Sequence, residues 1–591
     1  MRYEMSFGDL GASKAVPPPA TTKFRIAIFG DFSGAANSGR LDTGDALAAR
    51  KPQVIDVDNF DDILKRMKIK LQLPIAADGG SVEVPLKEMD DFHPDQLYDN
   101  VEVFSELSGL RDRLKGKGTF AAAAKELQEW RGELGDDAEA YVKPKSRSSM
   151  PHGKLSDFAR LVGGVAEREE TAADELIKQI VAPFITAKKD PKQDELVAVA
   201  DQALSEAMNR VLHHPDFQTL ESLWRSVELL VRKVDGGGNL QVVLFDVTAE
   251  EVAADLSQAD SLNETGLYKL LVEQPALDAQ QGAFAVIVGA YTFEQTPPHA
   301  ELLGRMAKIA TSARAPFLAA VSNDCIKKLK PDEIHPLIKE SWAALRALPE
   351  ANYLGLTAPR FMLRWPYGKK TEPIDSFAFE EFTRREGVSG MLWANGAFLP
   401  ALLLGMMFEK QGLKGMKLGS TMSVGEIPYY YYTDADGDQV ALPCTDRLLT
   451  ETLCQHVTGQ GFMPIVSIKG RDEVRLASFN SLAGKPLLGP WSTEQITATL
   501  STSGGTKPAV SGNAEPAAPP AASAPAAAAA AAPEPTPAPA AEAPPAESAA
   551  SADAELDALL ASLNAPAPAA PAESGGGEEI DPELAALLAD L

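Results

Sequence analysis

Apolar and polar residues alternate at the front of the chain: Tyr3, Met5 and Phe7 interleave with Arg2, Glu4 and Ser6, the period of a half-buried β-strand. Pro17-Pro18-Pro19 separates this stretch from a second apolar run, Phe24 to Phe29, which ends in Gly30-Asp31-Phe32-Ser33-Gly34. A strand that stands apart from any core is suited to pairing with a neighbouring chain, and Tyr3, Met5 and Phe7 are its candidate intersubunit residues. An unstructured tip is the alternative. Further on, Phe60, Ile63, Leu64 and Met67 fall on one helical face behind the polar Asp58-Asn59, which predicts an amphipathic helix. Val82, Val84 and Leu86 alternate as a strand, and Pro94 suits the first position of a helix.

The run from Lys143 to Lys154 has no hydrophobic period and reads as an interdomain linker. Helical patterning resumes through Leu176, Ile180 and Ile185, then Leu204 to Leu212. Leu240 to Val247 and Ala283 to Val288 read as short buried strands between helices, giving an α/β or α+β domain that runs to about Trp491. The tyrosines Tyr429 to Tyr432 and the segment Gln439 to Leu442 flank a turn, the layout of a hairpin. Met391 to Phe408 is the one stretch apolar enough to suggest a membrane span, but Asn395, Gly396 and Pro400 interrupt it, so a buried core helix is expected.

From about Ser501 to Ala550 the chain is nearly all Ala, Pro, Ser, Gly and Glu, a composition that buries too little apolar surface to offset ordering entropy. Such a tether reaches on the order of 150 Å when extended. Beyond it a pattern occurs twice, E-L-x-A-L-L-A-x-L, at Glu555 to Leu563 and Glu583 to Leu591. Leu556, Leu559, Leu560 and Leu563 form one stripe, echoed by Leu584, Leu587, Leu588 and Leu591. Each copy reads as a short helix, marginal alone in water, of the kind that fits a partner's groove.

The 591 residues carry a formal net charge of −27, which repels a phosphate backbone, and no basic stripe offsets it, so neither nucleic acid nor an anionic membrane surface is an expected partner. Three cysteines, Cys325, Cys444 and Cys454, lack CxxC spacing and support neither a disulfide framework nor a zinc site. With no basic and apolar leader at the N-terminus, a cytoplasmic location is expected. Phosphate-loop, nucleophile-elbow and HExxH signatures do not occur. His213-His214 lacks a third ligand and reads as a turn or interface element, and Asp434, Asp436 and Asp438 lack the glutamate that closes a calcium loop. No catalytic residue, metal ligand or cofactor is therefore assigned.

Two blocks of motifs carry a family resemblance. Phe29 to Gly34, Ile55 to Met67 and Asp91-Phe92-His93-Pro94-Asp95 resemble the small subunit, TssB, of the type VI secretion contractile sheath. Leu212 to Phe217, Leu220 to Arg225, Ala315-Pro316-Phe317, Tyr353 to Thr357, Pro359-Arg360, Arg364 to Gly368, Leu392 to Ala397 and Gly461 to Val466 resemble the large subunit, TssC. The resemblance implies a fusion of two α/β sheath-protomer-like modules in one compact body, 1–142 and 166–492, joined by a linker at 143–165. A Pro/Ala-rich tail at 493–552 and two helical motifs at 553–591 stand where the large subunit has its C-terminal region. It further implies a non-enzymatic structural subunit that assembles around an inner tube, with donated β-strands stitching neighbours. The implied partners are other sheath subunits and inner-tube, baseplate or unfoldase proteins, with an unidentified partner for the tail helices. The alternative is an accessory adaptor of the same machine that recruits through those helices.

Overall fold

Phe24–Gly30 (β1) is buried along its whole length, Arg25 included. That is what a continuous apolar run predicts for a strand covered on both faces. The structure, a computed structural model, describes residues 5–10, 23–75, 80–134, 149–151, 173–181, 184–185, 193–234, 238–258, 261–278, 280–327, 334–384, 387–433, 437–468 and 470–492. By contacts the chain divides into Met1–Gly505 and Thr506–Leu591, and the second unit lies outside the described residues.

In chain order the strands that follow β1 are β2 (Gln53–Ile55), β3 (Ile69–Pro74), β4 (Ser81–Leu86), β5 (Leu240–Asp246), β6 (Val286–Phe293), β7 (Phe317–Val321) and β8 (Leu354–Ala358). Then come β9 (Phe361–Met362), β10 (Trp393–Ala394), β11 (Ser423–Gly425), β12 (Tyr430–Thr433), β13 (Gln439–Leu442), β14 (Met463–Ser467) and β15 (Glu473–Leu476). The main sheet runs β11-β15-β14-β8-β7-β6-β1-β5-β2. Its centre, from β14 to β5, is parallel, while β2, β15 and β11 pair antiparallel at the two sides. β1 is in register with β5 from Phe24 opposite Leu240 to Gly30 opposite Asp246, and meets β6 on its other side. The first module thus has no sheet of its own around β1; it supplies a central strand to the second.

Alternate residues of β1 enter different layers. Phe24, Ile26 and Ile28 join the core formed with α2 (Gln193–Leu212), α3 (Pro215–Lys233) and α6 (Phe398–Gly415), while Ala27 and Phe29 join the core with α4 (Ala249–Gln258) and α5 (Pro297–Ala313). The expected helix at Phe60–Met67 (α1) is present and turns Phe60, Ile63 and Leu64 inward. The tyrosine hairpin is also present, with Tyr430 opposite Leu442 and Tyr432 opposite Val440. Of the stretch Met391 to Phe408 only the part from Phe398 is helical; Trp393–Ala394 pairs with Phe361–Met362 instead, because an apolar run by itself does not distinguish a buried strand from a buried helix. Among the described residues no helix is long and apolar enough to cross a membrane. The part of the expected linker that is described, Ser149 to Pro151, packs on the body: Met150 is fully buried and its amide bonds Thr292 O at 3.0 Å.

The three His-Pro pairs share one role. His93, His214 and His335 each cap a helix whose first residue is proline, and each Nδ1 accepts the amide two residues on, from Asp95, Asp216 and Leu337, at 3.2, 3.2 and 3.3 Å. Proline needs no acceptor at that position and the imidazole satisfies the next donor. His213 instead points Nε2 toward Glu381 at 3.5 Å.

The two motif blocks meet at a buried seam. Phe60 and Phe32 stand edge-on to Trp224, Phe92 stands edge-on to Phe217, and His93 lies against Tyr367. Asp95 accepts the amides of Asp375 and Ser376 at 3.1 and 3.0 Å. Behind them Arg364, 6% exposed, reaches Glu221 at 2.8 Å and Glu381 at 2.7 Å and lies over the Tyr367 ring. Arg225 completes the group at 2.8 Å from Glu221, so two carboxylates face two guanidiniums. Burial alone would raise the Glu381 carboxyl, but Arg364 and His213 hold it down at about 2.

Arg364→Met takes the guanidinium from buried Glu381 and leaves Glu221 with Arg225 alone, and is expected to cost about 3–5 kcal/mol, read from the denaturant midpoint. Because Glu381 sits below its ordinary 4.5 in the folded chain, its contribution is complete above that pH and is lost toward pH 2. The gap between Arg364→Met and the unaltered chain is therefore expected to narrow as pH falls through that window.

Candidate assembly surfaces

Met5 to Leu10 lie against α5 and the start of the turn at Ser261, not in a strand within this chain. The Ser6 amide donates to Glu301 Oε1 at 3.2 Å, and Arg305 Nε donates to Ser6 O at 3.1 Å. Lys308 Nζ donates to Gly8 O at 2.6 Å, and the Leu262 amide to Asp9 O at 2.9 Å. Met5 and Phe7 are half-buried, and Phe7 and Leu10 pack on the core beneath α5. The expectation of a segment standing apart from any core is thus corrected for these residues, because backbone groups at Ser6, Gly8 and Asp9 find partners on the body. Tyr3 lies outside the described residues. So do Leu556, Leu559, Leu560, Leu563, Leu584, Leu587, Leu588 and Leu591, and Asp434 and Asp436 of the hairpin turn.

Two further features face outward. Tyr430 and Tyr432 cover Phe382, which leaves Tyr429 and Tyr431 on the opposite face of the hairpin beside Trp365, whose Nε1 donates to Tyr429 O at 3.3 Å. Tyr431 is 55% exposed and Trp365 47%. At the sheet's edge, Val54 on β2 and Val57 just beyond it are exposed. Edge strands and aromatic faces of this kind are where a second chain pairs or packs.

A cavity of about 340 Å³ opens at the carboxyl ends of β1 and β6, where the order of the parallel strands reverses. Three of its polar lining residues, Asp31, Tyr291 and Asn395, are bound into the fold. Asp31 accepts the amides of Ala35 and Ala36 at 2.6 and 3.0 Å, Tyr291 donates to Val247 O at 2.7 Å, and Asn395 donates to Tyr291 O at 3.1 Å. Burial and the nearby Asp246 push the Asp31 carboxyl up to about 7. Among the described residues no group of three or more His, Cys, Asp or Glu is arranged to hold a metal ion. All three cysteines are unpaired, and burial pushes the Cys325 thiol up to about 12, far from a reactive thiolate.

Residues 194–483 match the VipB family model, described as EvpB/VC_A0108, tail sheath N-terminal domain. Residues 2–133 match the VipA model, described as Type VI secretion system, VipA, VC_A0107 or Hcp2. The type VI secretion system sheath protein TssC1 of Pseudomonas aeruginosa is 28% identical over 363 residues, covering 58% of this chain and 72% of that protein. The chain therefore belongs to the type VI secretion sheath families, with a VipA (TssB) region and a VipB (TssC) sheath domain fused in one polypeptide.

Proposed function

We propose that the chain is a structural, non-enzymatic subunit of a type VI secretion-like contractile sheath in the cytoplasm, assembling with other protomers around an inner tube. One observation carries this reading: residues of the small-subunit motifs, Phe60, Phe92 and His93, pack directly on Trp224, Phe217 and Tyr367 of the large-subunit motifs. A single polypeptide then supplies both halves of a protomer in a one-to-one ratio and at high effective concentration. Neighbours would be joined by strand pairing from the residues ahead of Met5, Tyr3 among them, and by the exposed β2 edge and hairpin face. The work of the machine would reside in these interfaces, with no bond-making at a pocket.

The repeated E-L-x-A-L-L-A-x-L motif favours a second role for the tail, recruitment of a partner of the same machine by two helix-in-groove ligands. Purified chain, alone or coexpressed with inner-tube protein, is expected to form rods or rings in negative-stain electron micrographs; monomers or dimers under every condition would contradict the sheath reading. Deleting Asp553 to Leu591 is expected to remove at least one partner from a pulldown, and an unchanged set of partners would remove the recruiting role.

A further inference from the structure

Gly304 sits in the middle of α5, where glycine lowers helix propensity and no turn or break calls for it. A Cβ at this position would fall within the van der Waals envelope of the Phe7 ring. Glu301 and Lys308 lie one turn to either side of Gly304, and Arg305, next to it in sequence, lies one turn on from Glu301. Glu301 and Arg305 are 6% and 7% exposed and grip Ser6 from its amide and its carbonyl, while Lys308 takes the carbonyl of Gly8. The face is a receptor for the segment Met5 to Leu10: a flat seat for one aromatic ring and side-chain partners for the backbone on both sides of it.

We propose that this face of α5 is an anchor that fixes where the N-terminal strand leaves the body, which makes Phe7 and Gly304 determinants of assembly although neither need touch a neighbouring copy. The proposal rests on the sheath reading above. Six residues, Met5 to Leu10, are held before any encounter. The alternating residues ahead of them then pair with a neighbour without the entropic cost of ordering the whole segment. A released segment would present the same residues from a variable position, joined to β1 only through residues 11–22.

Gly304→Ala separates anchoring from folding because the two effects have opposite signs: alanine favours the helix while its methyl group displaces the ring. In the full-length chain the thermal midpoint is expected to hold or rise. Hydrogen exchange over residues 5–10 is expected to accelerate about tenfold or more, and sedimentable rods are expected to be lost. Phe7→Ala, which leaves α5 untouched, is expected to give the same exchange and assembly result. Rods from either variant at the unaltered level, or a segment that stays protected in both, would overturn the anchor. Failure of the unaltered chain to form rods would overturn the sheath reading, and the assembly role of the anchor with it, while rods from both unaltered and variant chains would sink the anchor alone.

Discussion

The hydrogen bonds that hold β1 between β5 and β6 set the terms for everything else in the molecule. A central strand of a parallel sheet has both edges paired and both faces covered. Removing it would expose two rows of backbone groups and open both hydrophobic layers at once. The strand comes from the region that matches VipA, while its neighbours on both sides come from the region that matches VipB. Fusion in one chain therefore joins two sequence modules that were already a single folding problem.

The seam elaborates that constraint with polar contacts of long sequence separation. Arg25, within β1, is buried and bonds the Gln241 side chain and the Gly282 carbonyl, so even the strand's one charge is satisfied by the second module. Beside α4 Arg50 pairs with the fully buried Glu251, and Arg40 reaches Asp246 at 2.7 Å. Removing one member of such a pair leaves an uncompensated charge, so each pair penalises misdocking more than it adds to net stability. A body whose parts fit in only one way suits a subunit whose work is done at its outer surfaces.

Much of this was legible in the chain. β1 and β5 were visible as apolar runs, α1 as a 3.6-residue stripe, and the tyrosine hairpin from its turn. Tertiary context decided the rest. The division at residues 143–154 follows local composition, yet sheet pairing crosses it, and no local pattern announces that β1 will insert between two later strands. Met391 to Phe408 splits at Asn395-Gly396 into a strand and a helix, a division that its hydrophobicity alone does not assign. Met5 to Phe7 alternate as a strand would, but in the single chain their partners are Glu301, Arg305 and the space left by Gly304. A buried ionic group such as Glu221, Arg364 and Glu381, spread over 160 residues, has no signature until the chain is folded.

The central claim, that the two modules share one core through β1, is tested most directly by making residues 1–142 and 143–591 as separate polypeptides. The shared sheet predicts that the two co-purify as one cooperatively melting complex when made together, and that 143–591 made alone lacks a cooperative thermal transition. A solitary 143–591 that melts cooperatively at the midpoint of the intact chain would contradict it.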